Sequence, residues 1–146
     1  MTGIHIGIGV AMVFVNLAAG LIGAWQWWRS TPGTRFWRVL RTGQLFTVLA
    51  AADGLILVIA GEKLPELHLV YGLTPIAVSF LAEKLRLASA DTVLQARDLE
   101  DAQAMRGLPE REQHAIVHQI IRREVGVMAA SAFVVAVLGL RAGAWL

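Results

Sequence analysis

The sequence contains no cysteine and few charged residues. Of its 146 residues, 16% are charged and 56% are apolar, and the mean hydropathy is +0.59. The absence of cysteine excludes disulfides, thiolate metal sites and iron–sulfur clusters. A soluble domain has about 25% charged residues, so the shortage of charge indicates that part of the surface faces lipid. The formal net charge of only +2 gives no sign of a nucleic-acid partner.

Four segments are long and apolar enough to span a bilayer, which takes about 20 residues. They cover residues 4–27, 39–60, 67–87 and 125–140. The first segment has no basic stretch before it and no convincing cleavage site, so we expect a retained span rather than a secretory signal. The predicted fold class is all-α, an integral membrane four-helix bundle with up-down connections.

The loops predict the orientation of these spans. Residues 28–42 hold four arginines and no acid, whereas the 61–66 connection holds one lysine and two glutamates. Because an excess of Lys and Arg marks the cytoplasmic side, both termini are predicted to lie outside a cell (inner or plasma) membrane. Tryptophans favour the membrane boundaries, and they occur near the predicted inner boundary (Trp25, Trp27, Trp28, Trp37) and at the outer one (Trp145).

Residues 88–124 are predicted to extend helices three and four into a cytoplasmic helical hairpin. The stretch 83–106 is rich in helix-forming residues, and "GLP" at 107–109 predicts a break at which Gly107 ends one helix and Pro109 opens the next. The connection 82–124 carries seven basic and eight acidic residues, so its charges nearly cancel. The hairpin is therefore a candidate surface for docking on a larger membrane complex.

Two histidines are predicted near the outer ends of helices one and three, and each has a glycine at i+4. "GIHIGIG" contains His5 and Gly9, and "LHLVYG" contains His68 and Gly72. Residues at i and i+4 share a helix face, so each glycine leaves flat space beside an imidazole. A porphyrin held between two helices needs an imidazole from each side. The repeated pattern therefore predicts a bis-histidine haem b site.

Haem propionates are stabilised by cations at the water boundary, where Lys63 and Arg141 are the basic residues that the topology supplies. A copper ion bound by the two histidines is one alternative. Interfacial histidines bonded to water or to backbone carbonyl groups are another.

With the four-span topology, the "GIHIGIG" and "LHLVYG" segments resemble one half of a haem A synthase or a small b-type membrane cytochrome. The resemblance covers the bundle but not the hairpin, and it implies haem binding at His5 and His68. The catalytic acidic residues of haem A synthases have no match in this sequence. The resemblance therefore does not imply haem oxidation.

Asp53 is the one formal charge in the predicted hydrocarbon region, roughly 10 Å from the outer end of helix two. An acid inside a membrane is a functional candidate that can orient a ligand, accept a proton or bind a cation. It can equally be a protonated contact between helices. Asn16 and Thr74 are candidate partners at a similar depth, and Gln44 is predicted to be a helix contact nearer the inner side.

His114 and His118 have the i, i+4 spacing of a helical metal chelate. The segment reads "EQHAIVH", without the glutamate that follows the first histidine in zinc proteases. These histidines are therefore predicted to lie on a solvated or hairpin-packed face.

Three functions follow from these observations. The first is a membrane-embedded haem b protein, not an enzyme, that transfers electrons near the outer face. The second is an accessory subunit or assembly factor of a larger membrane complex, such as a respiratory complex, that docks through residues 82–124. The third is a small homo-oligomeric transporter or channel built around Asp53. The lipid bilayer is a partner in all three.

Overall fold

The chain folds into four long helices. The computed structural model describes residues 2–31 and 33–143 and shows no strand within them. The helices are α1 (Thr2–Arg29), α2 (Thr34–Ile59), α3 (Glu66–Gln95) and α4 (Glu110–Gly143), with a short 3₁₀ helix, Ala104–Gly107, between the last two. The predicted all-α class is confirmed. Trp145, which was predicted at the outer boundary, lies outside the described residues.

Neighbouring helices run in opposite directions, so their ends meet in two sets. His5 near the start of α1 contacts Asp53 near the end of α2, and His68 near the start of α3 contacts Ala142 near the end of α4. This end of the bundle is termed the histidine end. The opposite end, where α1 ends and α2 begins, is termed the arginine end. The helix α1 packs on α2 and α4, α3 packs on α4, and α2 makes few contacts with α3.

Small residues bring α1 close to its two neighbours. A Cβ atom on Gly23 would lie 2.5 Å from the ring of Phe36 and 2.7 Å from Ala129, so a larger residue could not be accommodated without movement. Phe36 and Ala129 belong to the buried core of the bundle, together with Met128. Close backbone approach through glycine is the usual way in which membrane helices pack.

Three of the helices are long and apolar enough to cross a membrane, which indicates a membrane protein. They are α1 from Gly3 onward, α2 and α4. The helix α3, which contains the predicted span 67–87, is not among them. His68, Thr74 and Pro75 interrupt its apolar half, and charged residues begin again at Glu83.

The second half of α3 and the first half of α4 pair as a helical hairpin. Val93 and Leu94 of α3 are buried against Ile116 of α4, and Leu99 and Met105 from the connecting segment pack on them. The hairpin therefore has a small apolar core of its own.

The sequence predicted that α3 would continue to Gly107. This prediction is wrong, because α3 ends at Gln95. The Leu99 N–H donates to the Leu94 carbonyl over 3.0 Å, and Asp98 adopts a positive φ of 55°, which closes the helix. Gly107 ends only the 3₁₀ turn. Pro109 stands directly before Glu110 and its carbonyl accepts from the Gln113 N–H over 3.1 Å, so it opens α4 as predicted.

Candidate functional site

A cavity of about 720 Å³ lies at the histidine end. All four helices contribute to its wall, together with Leu64 from the connection between α2 and α3. The lining is apolar except for the rings of His5 and His68. Ligand sites in proteins usually enclose about 300–1,000 Å³ with a few polar groups in an apolar wall, so this cavity has the size and composition of a ligand site.

The rings of His5 and His68 both line this cavity and lie next to each other. Their centroids are 5.8 Å apart, and the ring planes are inclined by 58°. The two residues come from different helices that are separated by α2 in the sequence. The up-down fold thus brings together the two histidines that share a sequence pattern.

Hydrogen bonding defines the tautomer of His68. Its Nδ1 lies 3.1 Å from the carbonyl oxygen of Ala142. Because a carbonyl oxygen only accepts, Nδ1–H of His68 is the donor, and in the neutral ring Nε2 carries a lone pair. His68 is buried, so this bond also fixes the orientation of the ring.

A carboxylate holds the other ring in the same way. Nδ1–H of His5 donates to Oδ2 of Asp53 over 3.0 Å, with both side chains partly buried. Gly54 makes room for this arrangement, because a Cβ atom there would lie 3.2 Å from Cε1 of His5. Asp53, the acid in the apolar segment of α2, is therefore a direct partner of His5.

The second nitrogen of each imidazole has no hydrogen-bond partner in the described part of the chain. This nitrogen is not fully enclosed by protein either. Among the described residues, Gln26 Oε1 is the one side-chain polar atom of a non-exposed residue that has neither a hydrogen-bond partner nor accessible surface. Nε2 of His5 and Nε2 of His68 therefore keep access to the space around them. Metal-binding histidines generally have this arrangement, in which one ring nitrogen is held by a carboxylate or carbonyl group and the other is free.

Gly9 and Gly72 both line the cavity. A Cβ atom added at either position would meet nothing within 4 Å. The two glycines therefore border open space one turn deeper than the histidines, where longer side chains would project into the cavity. Sequence spacing alone had suggested this flat space.

Lys63 and Arg141 are exposed, and the structure places neither of them in the cavity wall. Each adjoins a lining residue, Leu64 or Ala142. The guanidinium of Arg141 lies 5.9 Å from the centre of the Tyr71 ring. Their predicted role beside propionates would require them to reach over the rim of the cavity.

The predicted partners of Asp53 lie elsewhere. Asn16 donates from Nδ2 to the Gly43 carbonyl of α2 over 3.2 Å and lies 3.4 Å from the Thr47 hydroxyl. The Thr74 hydroxyl donates within its own helix to Val70 over 2.6 Å. These partners depend on which face of each helix turns toward its neighbour. The depth of a residue along its helix does not reveal that face.

Gln44 forms the predicted helix contact at the arginine end. Its Nε2 donates to Oε1 of Glu83 on α3 over 3.0 Å. The same carboxylate accepts from Arg41 and from Arg86. This cluster joins α2 to α3.

His114 and His118 do not converge on a shared site. Nε2–H of His118 donates to the Ser30 carbonyl over 2.9 Å, while His114 is exposed beside Glu110. Within residues 2–31 and 33–143, no group of three or more His, Asp or Glu side chains is placed to hold a metal ion.

Sequence reasoning missed two parts of the site, the Ala142 carbonyl and Gly54. The first is a backbone acceptor, so no side-chain motif marks it. The second is one of several glycines in the apolar segments, and its contact with His5 depends on the fold.

The chain matches no protein-family model, no curated protein and no solved structure. The predicted resemblance to haem membrane proteins is therefore untested by these comparisons.

Proposed function

We propose that this protein is a membrane-embedded haem b carrier that transfers electrons near the membrane face at its histidine end. The observation that carries this proposal is the pair of imidazoles on the cavity wall. Each has Nδ1 held by an acceptor and Nε2 unpaired, and the ring centroids are 5.8 Å apart. His5 and His68 are therefore the residues that would hold the iron of a haem.

The spacing of the rings supports ligation of one iron. A metal–nitrogen bond is about 2 Å and an imidazole nitrogen lies about 1 Å from its ring centre, so rings with centroids 5.8 Å apart are close enough to hold one metal atom between them.

The number of ligands favours a haem over a bare metal ion. A structural zinc ion takes four protein ligands, whereas His5 and His68 offer two nitrogens, and no described third residue completes the set. A porphyrin supplies four nitrogens itself and needs at most two ligands from the protein. Copper held by the same pair stays the alternative.

The residues around the pair have distinct roles in this proposal. His5 and His68 would hold the iron through Nε2, and Asp53 and the Ala142 carbonyl hold the rings in the tautomer that makes this nitrogen available. Gly9 and Gly72 leave space for a flat ring system. When bound, haem b supplies one-electron redox chemistry. Lys63 and Arg141 stay candidates for the propionates.

The proposed setting is a four-span arrangement in a cell membrane, with the histidine end outside. The exposed arginines of the other end, among them Arg35 and Arg38, favour the cytoplasmic side. Trp25 and Trp28 are also exposed there, as expected at a membrane boundary.

A role as an accessory subunit is compatible with the haem proposal. The observation that favours it is the helical hairpin, on which Val117 is an exposed apolar residue. A transporter built around Asp53 is less well supported, since this carboxylate is engaged by His5.

The test is haem binding in mild detergent, measured by the reduced-minus-oxidised visible spectrum after haem addition. The proposal expects a sharp Soret and α-band that is lost in His5→Ala and in His68→Ala. His118→Ala is the matched control, because this histidine bonds to Ser30 away from the cavity. A flat spectrum of the unaltered protein, or bands that survive in both ligand variants, would overturn the proposal.

A second pair of variants tests the cavity while keeping both histidines. Gly72→Leu would place a side chain in the cavity, and haem binding should be lost. Gly7→Leu is the control, since Gly7 also has open space around it but does not line the cavity. Equal loss in the two variants would contradict a haem at this position.

A further inference from the structure

Three arginines at the arginine end have no acidic partner. Arg29, Arg35 and Arg38 are exposed, and none of them forms an ion pair with a carboxylate in the described part of the chain. The fourth arginine of the same stretch, Arg41, is neutralised by Glu83 of α3. Three guanidinium groups therefore stay available to an anion from outside the chain.

These arginines lie at the same end of two neighbouring helices. Arg29 ends α1, and Arg35 and Arg38 lie in the first two turns of α2. The chain folds back closely between them, since a Cβ atom on Gly33 would lie 2.8 Å from Nε2 of Gln26. Arg35 and Arg38 are three residues apart and share a helix face. The three arginines are termed the basic surface.

A tryptophan supports the first of these arginines. The guanidinium carbon of Arg29 lies over the Trp25 ring, 4.6 Å from its centre, and the rings of Trp25 and Trp28 meet edge to face with centroids 6.0 Å apart. A guanidinium above an indole interacts through its flat face. Its N–H groups lie in the guanidinium plane and are left to donate in pairs to a phosphate.

The same face of α1 changes from apolar to aromatic to charged. Leu21, Trp25 and Arg29 are spaced by four residues and so share a helix face, and Leu21 and Trp25 are 58% and 53% exposed. The helix α1 is long and apolar enough to cross a membrane. A phospholipid has the same order of acyl chain, interfacial region and phosphate, and tryptophan favours the interfacial level. A soluble anion or an acidic protein would match the arginines but not the exposed leucine.

We propose that the basic surface binds the headgroup of an anionic phospholipid, with an acyl chain lying along Leu21 and Trp25. Arg29 donates to the phosphate, and Arg35 and Arg38 attract the negative charge of the headgroup. A choline headgroup carries a positive charge that these arginines repel, so the surface selects anionic lipid over phosphatidylcholine. This inference is independent of haem binding, because none of these residues lines the cavity.

The test uses the full chain in mild detergent, titrated with phosphatidylglycerol or with phosphatidylcholine. Native mass spectrometry counts the lipids that stay bound, and the fraction of protein that carries one lipid gives an apparent affinity for each lipid. The proposal expects tighter binding of phosphatidylglycerol than of phosphatidylcholine. Equal affinities for the two lipids would overturn it.

Glutamine variants locate the site. Arg29→Gln and Arg35→Gln should each lower the affinity for phosphatidylglycerol about fivefold, because a basic residue near an anionic membrane surface contributes about 1 kcal/mol. The affinity for phosphatidylcholine should fall less, which also shows that the variants are folded. Arg111→Gln is the matched control, since it removes the same charge from an exposed arginine at the start of α4. An equal loss in Arg111→Gln would trace the preference to net charge and overturn the site.

Competition separates a lipid from a free anion. Inorganic phosphate and glycerol 1-phosphate carry the same charged group without acyl chains, so at the concentration of the lipid neither should displace phosphatidylglycerol. Displacement by either compound at that concentration would show a site for a soluble anion and would overturn the assignment to lipid.

Discussion

At the scale of single residues, the two histidines differ in the group that holds them. His5 donates to a carboxylate, and His68 donates to a backbone carbonyl. A carboxylate increases the basicity of an imidazole ligand and fixes its orientation, and loss of such a partner typically lowers metal affinity about 10–100-fold. Asp53→Ala should therefore weaken haem binding by roughly this factor, measured by titration of the Soret band.

The asparagine variant separates charge from hydrogen bonding at this position. Asp53→Asn keeps an oxygen that can accept from His5, so it should retain more haem affinity than Asp53→Ala. Its midpoint potential should be more positive, because a neutral acceptor stabilises the oxidised iron less. Asp91→Ala, an exposed acid on α3, is the control. An unchanged haem affinity in Asp53→Ala would show that this carboxylate does not support His5 as an iron ligand.

Asn16 is the buried polar residue that joins α1 to α2. Its amide donates to the Met12 and Gly43 carbonyls over 2.8 and 3.2 Å. Hydrogen bonds between membrane helices contribute only about 0.6–2 kcal/mol, and Gly43 also accepts from the Thr47 hydroxyl. Asn16→Leu should therefore lower the free energy of unfolding by about 1 kcal/mol, measured by titration with a denaturing detergent.

Thr74→Val is the matched control for Asn16→Leu, because the Thr74 hydroxyl bonds only within its own helix. It should leave the free energy of unfolding nearly unchanged. A loss as large as that of Asn16→Leu would mean that the bond between α1 and α2 is not the cause.

The sequence was informative about the depth of residues and uninformative about helix rotation. His5 and His68 were predicted at the same end because both stand near the ends of apolar segments. The bond between His5 and Asp53 was not predicted, since it depends on which face of α2 turns toward α1. Asn16 was assigned to Asp53 by depth, and the structure pairs it with Gly43. Backbone acceptors such as the Ala142 carbonyl leave no side-chain pattern to recognise.

At the scale of elements, the hairpin has a core separate from that of the bundle. Ile116 is fully buried against Val93 and Leu94, whereas its neighbour Val117 is exposed. Replacing a buried isoleucine by alanine usually costs about 2–5 kcal/mol. Ile116→Ala should therefore raise amide hydrogen exchange in the hairpin and leave exchange in α1 and α2 unchanged, while Val117→Ala should change neither.

Equal increases of exchange in α1 and in the hairpin would contradict two separate cores.

The end of α3 illustrates why such elements are hard to predict. Residues 96–106 have good helix propensity, but Asp98 takes up a left-handed conformation and Asp101 accepts from the Gln103 and Ala104 N–H groups. Aspartate side chains compete with the helix for backbone donors, and this competition outweighs propensity in the segment.

At the scale of the whole molecule, the packing constrains how many times the chain crosses a membrane. The end of α2 and the end of α4 both lie at the histidine end, as the contacts of Asp53 and Ala142 show. The helix α4 approaches that end from the hairpin, on the opposite side. If α2 and α4 both cross, α3 must cross between them, although its polar residues keep it from being recognised by hydropathy.

We therefore expect the chain to cross the membrane four times, with both termini on one side and the hairpin on the other. Glu62→Cys, at the histidine end, should react with a membrane-impermeant maleimide added to intact cells. Glu112→Cys, at the start of α4, should react only after the membrane is permeabilised, since the exposed arginines favour the cytoplasmic side. The cysteine-free parent is the control for labelling of other proteins. Labelling of both variants in intact cells would mean that α3 does not cross, and the cavity at the histidine end would then have to be re-examined as a site outside the bilayer.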